Sequence, residues 1–215
     1  RPGASPVDEE EETRRVVPVI ETLAKKTQVP ISVDTSKAAV ARRAIDAGAV
    51  MVNDVTALTG DTHMPDLARS SGCAVVLMHM RRSPRTMQTD TAYKNVVADV
   101  YAYLDDRIEA CLDAGIDPRS IVADPGIGFG KDLAGNLSIL RHISEFSSLM
   151  VPILVGHSRK SFIGTILETQ VNDREEGTDA VTAWAAMNDV DIVRVHDCRR
   201  AKRVRAMIGA IRGAS

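Results

Sequence analysis

The chain has 215 residues, a net charge of −2 and an apolar fraction of 44%, so it is long enough to form a globular domain with a sizeable core. This charge balance excludes a polybasic nucleic-acid surface. No apolar run is long enough to cross a membrane, and we expect no signal peptide. The three cysteines are scattered without a CxxC pair, which is typical of a reducing compartment, and we expect a cytoplasmic protein.

The first residues read Arg1-Pro2-Gly3-Ala4, without an initiating methionine. A turn-rich sequence of this kind usually connects two elements of structure. We therefore expect residues 1–215 to be a single domain whose N-terminal part is missing from the chain.

In chain order, hydrophobic periodicity predicts helices and strands in alternation. Pro6 and Asp8 provide a start signal for the first helix, and the run Glu9–Glu12 places negative charge where the helix dipole favours it. The predicted helices cover residues 6–27, 36–47, 63–71, 92–114, 133–149, 160–168, 178–188 and 199–211. The predicted strands cover residues 29–33, 50–52, 74–78, 121–123, 151–155 and 191–195.

Strands that alternate with helices indicate a parallel sheet covered by helices, and continuous apolar strands indicate that both faces of the sheet are buried. The sequence predicts about six strands, whereas a closed (β/α)₈ TIM barrel has eight. We expect an α/β barrel lacking its first two strands. A doubly wound open sheet is the alternative, although no GxGxxG motif follows any strand.

A glycine-rich loop, Asp124-Pro125-Gly126-Ile127-Gly128-Phe129-Gly130-Lys131, follows the predicted strand 121–123. Its three glycines allow positive φ angles and a close approach of the backbone to a ligand. In parallel α/β folds, ligands bind at the carboxyl ends of the strands. An exposed turn would explain this loop if it stood alone.

Polar residues follow the other predicted strands as well. The residues at the strand ends are Asp34, Asn53, Met78, His79, Asp124, Ser158, Lys160, Arg194 and His196. Each has an ordinary structural explanation: Asp34 as a helix cap, Asn53 as a turn residue, His79 as a satisfied core histidine. Their coincidence on one rim favours a site.

The residue types indicate which ligand such a site would bind. Asp34, Asp124 and the Asn53 amide match a planar ring rich in N–H donors and acceptors. Phe129 and Met78 can pack on a flat ring. The set therefore indicates a polar heterocycle that carries phosphate, since several cations lie at the same rim.

Those cations are Lys160, Arg194 and His196. On a strand, Arg194 and His196 would face the same way, into the mouth of the barrel. Two cations there need an anion, because an unpaired buried charge is costly. A hard metal ion held by phosphate oxygens would leave little trace in the sequence.

Six segments, in order, resemble the successive motifs of the bacterial dihydropteroate synthase family and cover essentially the whole chain. They are Ser32-Val33-Asp34-Thr35, Asn53-Asp54-Val55, Leu77-Met78-His79-Met80, the loop 124–131, Gly156-His157-Ser158-Arg159-Lys160-Ser161 and Arg194-Val195-His196-Asp197. The resemblance implies a TIM-barrel transferase of folate biosynthesis, a sulfonamide target that uses Mg²⁺ and is a homodimer. Its members join 4-aminobenzoate to 6-hydroxymethyl-7,8-dihydropterin diphosphate and release diphosphate.

The resemblance also implies roles for individual residues. Pterin binding is implied for Asp34, Asn53, Met78, Asp124 and Lys160, and catalysis for Asp34, Asp124 and Lys160. Diphosphate binding is implied for Arg1, Arg194 and His196. A position in the wall of the 4-aminobenzoate pocket is implied for Pro2, Phe129, Ser158 and Lys160. The Asn that helps to hold the metal in the family has no counterpart here, so no metal ligand is expected in this chain.

The chain departs from the family at Ala57, where glycine is usual, and at Arg81-Arg82, where Gln-Gly is usual. Both departures affect the expected shape of loops. Two other functions stay open at this point. A pterin-binding methyltransferase of the same superfamily would lack the two phosphate-binding segments that begin at Gly156 and Arg194, and an inactive fragment or non-catalytic binding protein would form no product.

Overall fold

The computed structural model describes residues 7–81, 87 and 91–214, and within them six parallel strands form the centre of the molecule. The strands are β1 (Ser32–Asp34), β2 (Met51–Asp54), β3 (Ala74–Met78), β4 (Ile121–Asp124), β5 (Leu154–Val155) and β6 (Ile192–Val193). The helices are α1 (Glu9–Ala24), α2 (Ala38–Asp46), α3 (Met64–Ser71), α4 (Val96–Asp113), α5 (Leu133–Arg141), α6 (Ser161–Leu167), α7 (Glu175–Met187) and α8 (Cys198–Arg212).

The strands lie side by side in the order of the chain. Parallel ladders join β1 to β2, β2 to β3 and β3 to β4, and β5 pairs with β6. A parallel bridge between Ala123 and Ile153 connects the two groups. A doubly wound sheet would reverse its strand order at a switch point, and no reversal occurs here. The prediction of a barrel is confirmed, and the doubly wound alternative is wrong.

Alternate residues of the strands face two different apolar layers. One face packs against the helices in a large core that includes Val52, Leu77 and Ile121. The other face forms a smaller cluster of Val76, Val122 and Leu154, with Met51 and Ile192 packed against it. This smaller cluster is the inside of the barrel.

The polar residues at the strand ends belong to this inner face. Side chains two positions apart on a strand point the same way. Asn53 follows Met51 by two residues, Met78 follows Val76, and Asp124 follows Val122. Register places Asp34 beside Asn53 and Met78 beside Asp124. The fold therefore brings these residues to one mouth.

Several helix boundaries differ from the prediction, and the first helix, for example, ends at Ala24 rather than residue 27. The helix expected over 133–149 ends at Arg141 and is followed by 3-10 structure at Ile143–Leu149. That segment buries Ile143, Phe146 and Leu149, a spacing of three that matches the 3-10 period. The fourth helix begins at Val96 rather than residue 92, because the Asn95 side chain accepts a hydrogen bond from Ala98 N at 3.2 Å. The seventh begins at Glu175 rather than residue 178.

Cys73 and Cys111 are buried, and Cys198 is exposed. Among the described residues, no helix is both long and apolar enough to span a membrane.

The loop after β2 accommodates the departure at Ala57. Ala57 is fully buried and has a left-handed φ of 51°. Its carbonyl accepts a hydrogen bond from Arg107 Nε at 3.0 Å, and Asp54 carboxylate oxygens accept from Leu58 N and Thr56 N. The loop keeps the conformation that favours glycine, with alanine in that position.

We expect Ala57→Gly to change the free energy of unfolding by less than about 0.5 kcal/mol. Relief of the left-handed backbone would gain roughly 1 kcal/mol. Loss of a buried methyl group and the greater freedom of glycine when unfolded would cost a similar amount. Urea denaturation of both proteins measures the difference, and a change above about 1.5 kcal/mol in either direction would show that this balance is wrong.

Candidate active site

Two acids and an amide meet where β1, β2 and β4 end. Asn53 Nδ2 donates a hydrogen bond to Asp34 Oδ2 at 2.9 Å. Asn53 is 4% exposed and Asp124 is 1% exposed, whereas the side chain of Asp34 is 65% exposed. Asn53 and Asp124 thus form the buried part of the group, and Asp34 lies on its solvent-exposed side.

The amide oxygen of Asn53 is buried and has no hydrogen-bond partner among the described residues. A buried acceptor without a donor costs about 1–3 kcal/mol, so native proteins rarely keep one without a reason. The hydrogen bond that the Asn53 side chain makes to Asp34 uses the amide nitrogen and leaves this oxygen unsatisfied. A ligand with an N–H group at this position would.

Arg194 connects the two acids. Its Nη1 lies 3.5 Å from Asp34 Oδ2, and its Nη2 lies 3.9 Å from Asp124 Oδ2. Gly156 leaves space for the guanidinium, because a Cβ there would lie 3.1 Å from Arg194 Nε. Both contacts are longer than a good charge-assisted hydrogen bond.

Two carboxylates of the mouth therefore face the Arg194 guanidinium and partly balance its charge. Asp197, close to Arg194 in the sequence, caps α8 by accepting from Arg200 N at 2.9 Å. The strand β6 ends at Val193, so Arg194 and His196 both follow the strand.

His196 is exposed and pairs with a buried hydroxyl. Its Nδ1 lies 2.8 Å from Ser158 Oγ, and its backbone N donates to the same oxygen at 3.3 Å. The loops after β5 and β6 are joined by this contact. Residues expected at the phosphate and aminobenzoate ends of the site are therefore neighbours.

Lys160 lies across the glycine loop. Its Nζ donates to the Ile127 carbonyl and lies 4.2 Å from the centroid of the Phe129 ring. Burial lowers the pKa of Lys160 to about 8, although the Asp124 carboxylate opposes this shift. Gly128 makes room for this side chain, because a Cβ there would lie 2.7 Å from Lys160 Cδ.

Asp124 is the most buried charged group of the mouth. Burial raises its pKa above the ordinary 3.8, while Lys160, the Gly126 N–H and Arg194 oppose the rise. Gly126 N donates to Asp124 Oδ1 at 2.7 Å. The loop that follows the strand thus supplies part of the stabilisation of the carboxylate.

Met78 lies beneath the mouth in an apolar cluster of methionines. Met78 is fully buried, Met80 and Met87 are buried beside it, and Phe129 packs against the cluster. This position fits the expected role of Met78 beside a flat ring. Arg1 and Pro2, expected to bind diphosphate and aminobenzoate, lie outside the described residues, as does Arg82.

Sequence reasoning gave no role to two buried polar residues behind the loop. Lys131 Nζ lies 3.0 Å from His79 Nδ1, and both side chains are almost fully buried. The Asn136 side chain accepts from Gly128 N at 2.6 Å. His79 matches the satisfied core histidine weighed above. No sequence signal separates a buried lysine from the exposed lysines that are usual in loops.

The described residues form no group of three or more His, Cys, Asp or Glu side chains that could hold a metal ion. The mouth thus has one end formed by the carboxylates of Asp34 and Asp124 with the Asn53 amide, and a cationic end.

Known proteins of one family resemble this chain. Residues 1–196 match the family of pterin binding enzymes. Dihydropteroate synthase of Escherichia coli strain K12 is 43% identical over 199 residues, which are 93% of this chain and 70% of that protein.

Solved structures give the same result. Yersinia pestis dihydropteroate synthase, in a complex with a sulfonamide drug, has a TM-score of 0.96 and 41% identity, covering 100% of this chain and 78% of that one. The Xanthomonas albilineans enzyme in complex with 7,8-dihydropteroate has a TM-score of 0.91 and 40% identity, covering 97% of this chain and 77% of that one.

The glycine loop offers a matched test of its packing. Gly126 and Gly72 have nearly equal φ angles of 68° and 67°, but a Cβ at Gly126 would lie 1.9 Å from the His79 carbonyl oxygen, whereas one at Gly72 meets nothing within 4 Å. We expect Gly72→Ala to cost about 1 kcal/mol of stability through its backbone conformation alone.

Gly126→Ala should cost at least about 2 kcal/mol more than Gly72→Ala, because the loop must move away from β3. Chemical denaturation of the two variants measures both costs. Equal costs would mean that the loop does not pack against β3 as closely as described.

Proposed function

Because this chain belongs to the pterin-binding enzyme family, and within it to the dihydropteroate synthases, we propose that it condenses 4-aminobenzoate with 6-hydroxymethyl-7,8-dihydropterin diphosphate. The products are 7,8-dihydropteroate and diphosphate. The observation that carries the proposal is the buried Asn53 amide, whose oxygen has no donor among the described residues while its nitrogen donates a hydrogen bond to Asp34.

The pterin ring is assigned to the buried end. Asn53 accepts a ring N–H at Oδ1, and the carboxylates of Asp34 and Asp124 accept from the amino-imino edges of the ring. Met78 and Phe129 supply apolar surface for the flat ring. Lys160, beside Asp124, donates to an acceptor of the ring.

The reaction breaks the bond between the pterin methylene carbon and the diphosphate oxygen. The amine of 4-aminobenzoate forms a bond to that carbon and loses a proton, and the bond pair of the broken bond leaves with diphosphate. Positive charge that develops on the ring is stabilised by Asp34 and Asp124, and no protein nucleophile is required.

The diphosphate is assigned to Arg194 and His196, together with Arg1. Arg194 would exchange its two long carboxylate contacts for shorter bonds to phosphate oxygens. The two acids are then free to bind the ring. Through this exchange, binding of diphosphate at the cationic end is coupled to binding of the pterin ring at the end formed by the two acids.

The aminobenzoate is assigned to the surface formed by Phe129, Ser158 and Lys160, with Pro2. The Phe129 ring and the lysine stem provide apolar walls, and the Ser158 hydroxyl and Lys160 ammonium are suited to a carboxylate. Lys160 lies between Asp124 and Phe129, at the junction of the two substrates.

The family implies Mg²⁺, but the described residues do not by themselves form a site for it. Asp34 and Asp124 both face Arg194, and the described part of the chain holds no cluster of three candidate ligands. We assign the ion to the oxygens of the diphosphate, which suit a hard cation, and no step above depends on it.

We also propose a single domain over residues 1–215, a cytoplasmic location and a homodimer. Exposed apolar side chains on α7 and α8 support a self-association surface. They are Trp184, Met187, Met207 and Ile211, with exposures of 42%, 56%, 62% and 59%.

We expect Asn53→Ala to weaken binding of 6-hydroxymethyl-7,8-dihydropterin to the full gene product at least tenfold. The substitution removes the acceptor for the ring and the donor to Asp34, and a hydrogen bond that involves a charged group contributes about 1.5–3 kcal/mol. Titration calorimetry measures the affinity, with Asn188→Ala, at the exposed end of α7, as the control. Unchanged affinity in Asn53→Ala would remove this amide from the site.

Diphosphate should raise the melting temperature of the full gene product, because a ligand of the folded state stabilises it. Arg194→Ala should abolish most of this rise while pterin without phosphate still binds. Arg141→Ala, an exposed arginine at the end of α5, is the control. The same rise in Arg194→Ala as in the parent would place the phosphate site elsewhere.

A further inference from the structure

Lys131 is a lysine inside the protein. It is 3% exposed, and its amine contacts the backbone of the glycine loop. No described carboxylate forms an ion pair with it. Burial lowers its pKa to about 7, although the charge of Asp124 opposes the shift. A buried amine is costly, so its hydrogen bonds indicate why it is there.

The Lys131 amine is held by three partners. Nζ donates to the carbonyls of Gly126 and Phe129, each at 2.9 Å, and lies 3.0 Å from His79 Nδ1. Burial and the nearby lysine lower the pKa of His79 to about 3, so the imidazole is neutral at physiological pH. An ammonium supplies one N–H to each partner, and a neutral amine still supplies two to the carbonyls.

The two carbonyls stand at opposite sides of the turn in the glycine loop. Gly126, whose N–H binds the Asp124 carboxylate, begins the turn, and Phe129, whose ring lies against Lys160, ends it. The Lys131 side chain therefore holds two residues of the loop. They are Gly126, which hydrogen-bonds to Asp124, and Phe129, whose ring forms an apolar wall. His79 anchors the amine to the end of β3.

We propose that Lys131 is a positioning residue that holds the glycine loop in the shape that presents Phe129 to the aminobenzoate. This inference rests on the proposed function for the identity of the substrate. Lys131 itself touches no substrate. The acids and the amide assigned to the pterin belong to β1, β2 and β4 rather than to the loop, and the loop reaches the pterin end only through the Gly126 N–H and the Phe129 ring. The pterin end therefore depends on Lys131 less than the aminobenzoate end does.

The test compares Lys131→Met with the parent and with Lys25→Met, an exposed lysine after α1 that controls for the loss of a lysine. Methionine keeps most of the volume and removes every donor. Hydrogen exchange of the amides in residues 126–131 should be faster by about tenfold or more in Lys131→Met than in both other proteins. Exchange rates equal to the parent's would overturn the proposal without reference to any activity.

The kinetic test uses the full gene product with both substrates. Lys131→Met should raise the KM for 4-aminobenzoate about tenfold and change the KM for the pterin diphosphate less than about threefold. A fall in kcat with both KM values unchanged, or an equal rise in both, would overturn the positioning role. Parent protein that forms no dihydropteroate would instead overturn the proposed function.

Lys131→Leu provides a second variant in case Lys131→Met does not fold. Leucine also lacks a donor for the two carbonyls, and it is shorter than methionine, so it does not overpack the buried space. The same two measurements apply. Faster exchange in residues 126–131 and a selective rise in the 4-aminobenzoate KM support the proposal, and parent-like values of either overturn it.

Discussion

A carboxylate buried at the end of β4 is the constraint on which the rest of the mouth depends. Asp124 is 1% exposed, and an ionised acid in such a place is costly unless donors and cations surround it. The Gly126 N–H, Lys160 and Arg194 provide this compensation. The close packing of the glycine loop, in turn, requires a residue without a side chain at Gly126, and Lys131 supports the loop from behind.

The alternating periods and the acids at the strand ends were sufficient to predict the barrel and most of the mouth. Side chains at i and i+2 of a strand share a face, so the apolar Met51, Val76 and Val122 already indicated where Asn53, Met78 and Asp124 would point. The rule is local, and it holds as long as the strand continues. At Arg194 it no longer applied, because β6 had ended one residue earlier.

The remaining features depend on contacts between distant parts of the chain. Arg194 and Asp34 are 160 positions apart, and Lys131 and His79 are 52 positions apart. No single-sequence pattern records that such pairs meet. The 3-10 segment after α5 was missed for a different reason, since buried residues at a spacing of three fit an α-helix almost as well.

The account requires the Asp124 carboxylate itself to bind the pterin ring, and its ionisation tests this most directly. Carbon-13 NMR of labelled aspartate carboxyls, assigned with Asp124→Asn, would follow its titration with and without 6-hydroxymethyl-7,8-dihydropterin. Without ligand, we predict a pKa above 3.8, because burial disfavours the charged form. Ring N–H donors stabilise the charged form, so the bound pterin should lower this pKa. A pKa that the bound pterin leaves unchanged would contradict the account.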